Sequence, residues 1–174
     1  MPVIREINGK SPHIGEGTWL AETAVVLGDV TLGEDCSVWY NAIIRGDVNS
    51  IHIGNRTNIQ DGAVVHCTYK KAATVIGNSV SIGHNAIVHG CTLQDNCMVG
   101  MGAIVMDDVV VESGAVVAAG AVVSEGKTVK SGWIYAGIPA RPLKEISAEV
   151  REALLEKTPE NYVMYKSWFE ETGF

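Results

Sequence analysis

Branched aliphatic residues recur every six positions along most of this chain. Ile14, Leu20, Val26, Leu32, Val38 and Ile44 follow one another without a break. Ile53, Ile59 and Val65 resume the pattern after a short insertion, and Ile76, Ile82 and Val88 after a second. Leu93, Val99, Val105, Val111, Val117 and Val123 complete it. Many are followed by glycine, as at Gly15, Gly33, Gly54, Gly77, Gly83 and Gly100. The position four further on is usually small, as at Ala24, Cys36, Ala42, Ala63, Ala86, Cys97, Ala103, Ala115 and Ala121.

A period of six suits neither an amphipathic helix nor a simple alternating strand. It suits short parallel strands joined by turns, with the branched residue facing inward and a small residue filling the narrow interior beside it. Three hexads close one triangular coil, and hexapeptide periodicity is the mark of a parallel β-helix. The hexads from Ile14 to Val123 therefore predict a mainly β fold of about six triangular coils, with rungs about 4.8 Å apart. A looser β-sandwich would not hold one register over so long a stretch.

The repeat stops after Val123, and WIYAGIPARPL (133–143) reads as an irregular exit segment with two prolines. Residues 1–143 are expected to form the β-helix domain and 144–174 a helical segment. Ser147 is the expected N-cap of a helix carrying Val150 and Leu154 on one face. Thr158 and Pro159 read as the N-cap and first residue of a second helix. That helix carries Tyr162, Val163, Tyr165, Trp168 and Phe169 and ends near Gly173. Both helices are expected to lie on the flank of the β-helix.

Composition narrows the function. Aromatic residues make up only 6% of the chain while glycine numbers 19, as expected for a thin aliphatic core with many tight turns. The formal net charge is −7 and no basic run occurs, which argues against nucleic-acid binding. No stretch is apolar enough to span a membrane. The N-terminus has no signal-peptide h-region. Cys36, Cys67, Cys91 and Cys97 lack close pairing, as expected of reduced thiols in a cytoplasmic protein. Cys36 and Cys97 fall on the small inward position, and Cys67, next to His66 on an extended strand, should point away from it.

The candidate chemistry lies in three of the five histidines. Once the insertion is removed, His66 and His89 share one phase of the coil and stack one rung apart. His84 falls on the adjacent corner and faces elsewhere. Trimeric packing about a threefold axis would bring His84 of one chain to the His66–His89 pair of the next. Three imidazoles with an open fourth position are the pattern of a catalytic zinc site. The same donors accept Fe2+ or Co2+. A lone histidine on a corner is ordinarily a solvated residue, and His13 and His52 are read that way. By the same count Arg45 lies one coil below His66 and Asp61 one coil below His84, so Arg45 is expected to approach Asp61 of the neighbouring chain. Asp47 can pair with Arg45 or receive a proton. Gln60 is placed to hydrogen-bond a metal-bound water.

The blocks IIRGDV (43–48), IGNRTNIQDGAVVH (53–66) and IGHNAIVHG (82–90) resemble the active-site blocks of the gamma-class carbonic anhydrases. YAGIPAR resembles the exit segment of hexapeptide-repeat proteins generally. The resemblance covers nearly the whole chain. It implies a left-handed β-helix and a homotrimer with one metal at each subunit interface, held by His66 and His89 of one subunit and His84 of the next. It implies reversible hydration of carbon dioxide to bicarbonate by a metal-bound hydroxide. It also implies active-site or interface roles for Arg45, Asp47, Gln60 and Asp61, and for Asn161 and Tyr162 from the C-terminal helix. The chain departs from the family prototype at Val48, where the prototype has glutamate, and in CTYKKAATV, which has no acidic residue where the prototype has an acidic loop. Three other functions fit the same fold: acyl transfer, a metal-dependent thioesterase or other hydrolase, and a non-catalytic assembly in which the metal holds a trimer together.

Overall fold

The computed structural model describes residues 1–170. The chain winds into a left-handed parallel β-helix of triangular cross-section, capped along one side by a single C-terminal helix. On the first face, Val3–Arg5 and the starts of Val25–Leu32 and Ile43–Ile53 stack with Val64–His66, Ile87–His89, Ile104–Val105 and Val122–Val123. That makes seven rungs where the hexads between Ile14 and Val123 account for six. The additional strands lie at the ends of the coil, Val3–Arg5 at the start and Thr128–Val129 and Trp133–Ala136 at the finish. A terminal rung has a neighbour on one side only, so the pattern fades there, and Ile4 is exposed.

The inward positions form one continuous core. Val26, Ile44, Ile59, Val65, Ile82, Val88, Val99 and Val105 are fully buried. Each such side chain contributes about 1.5–3 kcal/mol by leaving water. Cys36, Cys67 and Cys97 belong to this core and are free thiols, as their phases require. Corners turn through the left-handed backbone region. Gly62 has φ +70°, and a Cβ there would come within 2.3 Å of the Asn85 side chain on the rung above.

The three outer faces differ in character. On the first, the outward column is Val3, Val25, Ile43, Val64, Ile87, Ile104 and Val122, aliphatic throughout. On the second it is His13, Thr31, His52, Val75, Thr92, Val110 and Thr128, alternating polar and aliphatic above its lowest rungs. The third carries Ser37, Asn58 and Ser81, all buried because the C-terminal helix lies over them. Leu155 of that helix packs with Val116 and Ile134, and Tyr162 and Phe169 stand edge-on to Trp39 at 5.3 Å.

Two expectations for the C-terminal region change. The exit segment is a hairpin in which Trp133–Ala136 pairs antiparallel with Arg141–Glu145. The strand therefore runs two residues past position 143. The two expected helices are one continuous rod made of Ala148–Arg151, Glu152–Lys157 and Thr158–Glu170, with Ser147 capping the start. Thr158 is helical (φ −61°, ψ −51°), and its hydroxyl donates back to the Ala153 carbonyl at 2.9 Å. The middle segment is a wider π-type turn, which makes room for the Pro159 ring and lets the helix pass through it. The expected end near Gly173 lies outside the described residues. No helix among the described residues is long and apolar enough to cross a membrane.

Candidate metal centre

His66 and His89 are direct register partners on adjacent rungs. Their ring centroids are 5.0 Å apart, and His66 Nδ1 lies 3.0 Å from His89 Nε2. The outer nitrogen of each ring meets a carboxylate. His66 Nε2 donates to Asp47 Oδ1 at 3.1 Å, and His89 Nδ1 donates to Asp107 Oδ1 at 2.6 Å. Burial pushes the Asp47 carboxyl up, but hydrogen bonds from Arg45 and His66 outweigh it and hold it below the usual carboxylate range. Asp107 behaves alike, with burial opposed by hydrogen bonds from Thr68 and His89. Both carboxylates are therefore ionised at neutral pH and can only accept, so the outer ring nitrogens carry the protons.

That assignment fixes the inner nitrogens. In neutral imidazoles, His66 Nδ1 and His89 Nε2 each present a lone pair, and the two lone pairs face each other at 3.0 Å. Such a contact needs a shared cation, either a proton on one of the two rings or a metal bound by both. Two nitrogens bound tetrahedrally at about 2.0–2.1 Å from zinc stand about 3.4 Å apart, so a small opening of the pair accommodates a metal. Carboxylates on the distal nitrogens of ligating histidines orient the rings and raise their basicity. The residues present fit a divalent metal.

His84 lies on the corner after Ser81–Ile82, and its Nδ1 is 2.9 Å from Asp61 Oδ2. A proton on Nδ1 leaves Nε2 as the lone-pair nitrogen. Each of the three histidines thus has its own aspartate. Among the described residues of one chain, no three His, Cys, Asp or Glu side chains converge on one point.

The other expected site residues divide between this centre and the helix-covered face. Arg45 Nη1 donates to Asp47 Oδ2 at 2.5 Å, within one chain, while Asp61 is engaged by His84. Gln60 is buried, and its amide donates to Asn58 Oδ1 at 3.0 Å, along the face beneath the helix. Tyr162 is pushed up to about 12, first by burial and then by the charge of Asp61, which sets this part of the helix beside the His84 corner. Asn161 is half-buried on the same helix.

A family model described as bacterial transferase hexapeptide (six repeats) matches residues 11–46 and 90–125. A probable carbonic anhydrase of Methanocaldococcus jannaschii is 52% identical over 143 residues, covering 82% of this chain and 89% of that protein. The mitochondrial gamma carbonic anhydrase 2 of Arabidopsis thaliana is 40% identical over 88% of this chain, which spans 57% of the plant protein. The chain belongs to the gamma carbonic anhydrase family. Within solved structures, one described as a putative acetyltransferase of Bacillus cereus superposes on this family member with a TM-score of 0.95 at 32% identity, covering 98% of each chain.

Asp107 is the residue of this gamma carbonic anhydrase-family centre that sequence reasoning missed. Its signal was present, since it stands one coil of 18 residues beyond His89. Arg45 and Asp61 lie one coil below the histidines, whereas Asp107 lies one coil above His89.

Proposed function

We propose that this protein is a metal-dependent carbonic anhydrase that interconverts carbon dioxide and bicarbonate, working as a cytoplasmic homotrimer. His66 and His89 of one subunit and His84 of its neighbour hold the metal, with zinc the proposed ion and iron(II) or cobalt(II) accepted by the same donors. One observation carries the reading: the 3.0 Å approach of His66 Nδ1 and His89 Nε2, with both outer nitrogens committed to ionised aspartates. A divalent metal held by these histidines would supply Lewis acidity toward a water in its open position.

The chain's own groups do the positioning. Asp47 and Asp107 hold the two rings in the tautomer that offers lone pairs inward. Arg45 neutralises Asp47 and keeps it an acceptor. Asp61 does for His84 what they do for the pair, and Tyr162 walls that corner with the helix. The aliphatic column on the first face supports the trimer. It adjoins the row of Arg45, His66 and His89, and a second copy covering it is the proposed source of the third histidine.

Acyl transfer is a second reading, favoured by the likeness to the Bacillus cereus protein. It calls for a general-base histidine and a coenzyme groove, and it gives no role to two stacked imidazoles each held by its own aspartate. Elemental analysis of the purified protein, with carbon dioxide hydration assayed before and after chelation and acetyl-CoA binding measured alongside, separates the two. His84→Ala is expected to lose the metal while keeping its β-helix circular dichroism. Full metal content in that variant would overturn the ligand assignment.

A further inference from the structure

The insertion between the two histidine strands has no role in the reading above. Residues 67–73 leave Val64–His66 and return at Thr74–Ile76. The loop closes on itself, with Thr68 N donating to the Ala72 carbonyl at 2.9 Å and Ala72 N donating to the Thr68 carbonyl at 3.3 Å. Asn49 Nδ2 ties it to the neighbouring rung through the Thr68 carbonyl at 3.2 Å.

Two threonines then connect the loop to the centre. Thr74 is fully buried; its hydroxyl donates to the His66 carbonyl and accepts from Gly90 N at 2.9 Å, so it bridges the ends of both histidine strands. Thr68 Oγ1 donates to Asp107 Oδ2 at 2.6 Å, while the other oxygen of the same carboxylate accepts from His89. Outside them, Lys71 Nζ lies 2.6 Å from Glu125 Oε1, 3.5 Å from Asp107 Oδ2 and 3.6 Å from Asp108 Oδ2. The loop therefore holds the Asp107 oxygen that His89 leaves free, and Thr74, where the loop returns, joins the His66 carbonyl to Gly90 N beside His89.

We propose that the 67–73 loop is a metal-retention latch: Thr68 fixes the Asp107 carboxylate that orients His89, and Lys71 closes the latch from outside. The inference rests on the metal reading of the previous section and assigns positioning residues to it. The two contacts differ in weight. Asp107 is 13% exposed and its bond to Thr68 is short, so that bond is sheltered from solvent. The Lys71 side chain is 47% exposed and shared among three carboxylates, so its hold is screened by salt. Thr68 is the dominant member and Lys71 the salt-sensitive one.

The test loads the full-length protein with cobalt(II), records its visible absorption, and follows release of cobalt into excess chelator. Thr68→Val keeps the shape and removes the hydroxyl; it is expected to release cobalt about tenfold faster, the lower end of what an outer-shell partner contributes. Thr68→Ser restores the hydroxyl and is expected to return release to the wild-type rate, which a general loosening of the fold would not do. Lys71→Met, on the surface, is expected to quicken release severalfold at low salt, with the difference vanishing in 1 M salt. Release unchanged in both Thr68→Val and Lys71→Met, with wild type loaded, overturns the latch and leaves the metal reading intact. A wild-type chain that takes up no cobalt overturns both.

Discussion

Asp47 and Asp107 determine what the two stacked histidines can do, because an ionised carboxylate forces a proton onto the ring nitrogen it faces. Asp47 is reached by counting, two residues beyond Arg45. Asp107 becomes visible only when the coil above is laid on His89. Other single residues carry their own consequences. Burial pushes the Cys91 thiol up to about 12 and Cys97 further still. Neither is expected to react with iodoacetamide at pH 8 in the folded protein, and mass spectrometry of labelled peptides with and without denaturant checks this. Tyr162 sits at about 12 against an ordinary value of 10, held neutral by burial and by Asp61. Its folded value lies above its unfolded one, so its contribution to stability is complete below about pH 10 and is lost as pH rises toward 12. Tyr162→Phe is expected to flatten the alkaline fall in melting temperature between pH 9 and 11.5 relative to wild type.

Among the elements, the C-terminal helix departs most from sequence expectation. Thr158 and Pro159 form a good local start signal, and the chain overrides it. The apolar residues on both sides, Leu155 before and Tyr162 and Phe169 after, must all reach the same flank of the β-helix. One continuous rod achieves this at the cost of a widened turn. Lys166 pins the far end: it is almost fully buried, donates to the Gly17 carbonyl and pairs with Asp35 at 3.0 Å. Leu155→Ala is expected to destabilise by about 2–4 kcal/mol through lost burial and a cavity, read from urea unfolding. Lys166→Ala strands the Gly17 carbonyl and is expected to make the helix the first site of limited proteolysis.

For the whole molecule, the three outer faces differ in what can cover them. The helix takes one, water can take the mixed second, and the aliphatic first face has the make-up of a surface covered by another chain. Ile87 stands outward in the middle of that column, 37% exposed, one coil from Val64 and Ile104. Ile87→Glu is expected to yield monomers in sedimentation velocity and to lower metal content with them, since a separated chain offers two histidines at the centre. Monomers that keep a full complement of metal would show that one chain suffices.

The hexad spacing alone determined the coil, its inward residues and the stacking of His66 on His89. In a solenoid each rung contacts only its neighbours, so position along the chain converts directly into position in space. What only the tertiary structure decided lies where that conversion stops. The seventh rung and the exit hairpin sit at the ends of the coil, where the repeat loses one neighbour. The helix path and the buried Gln60–Asn58 contact depend on how a non-repeating segment packs across many rungs at once. The hold of Thr68 on Asp107 spans an insertion that breaks the count, and there side-chain reach, rather than period, chooses the partner.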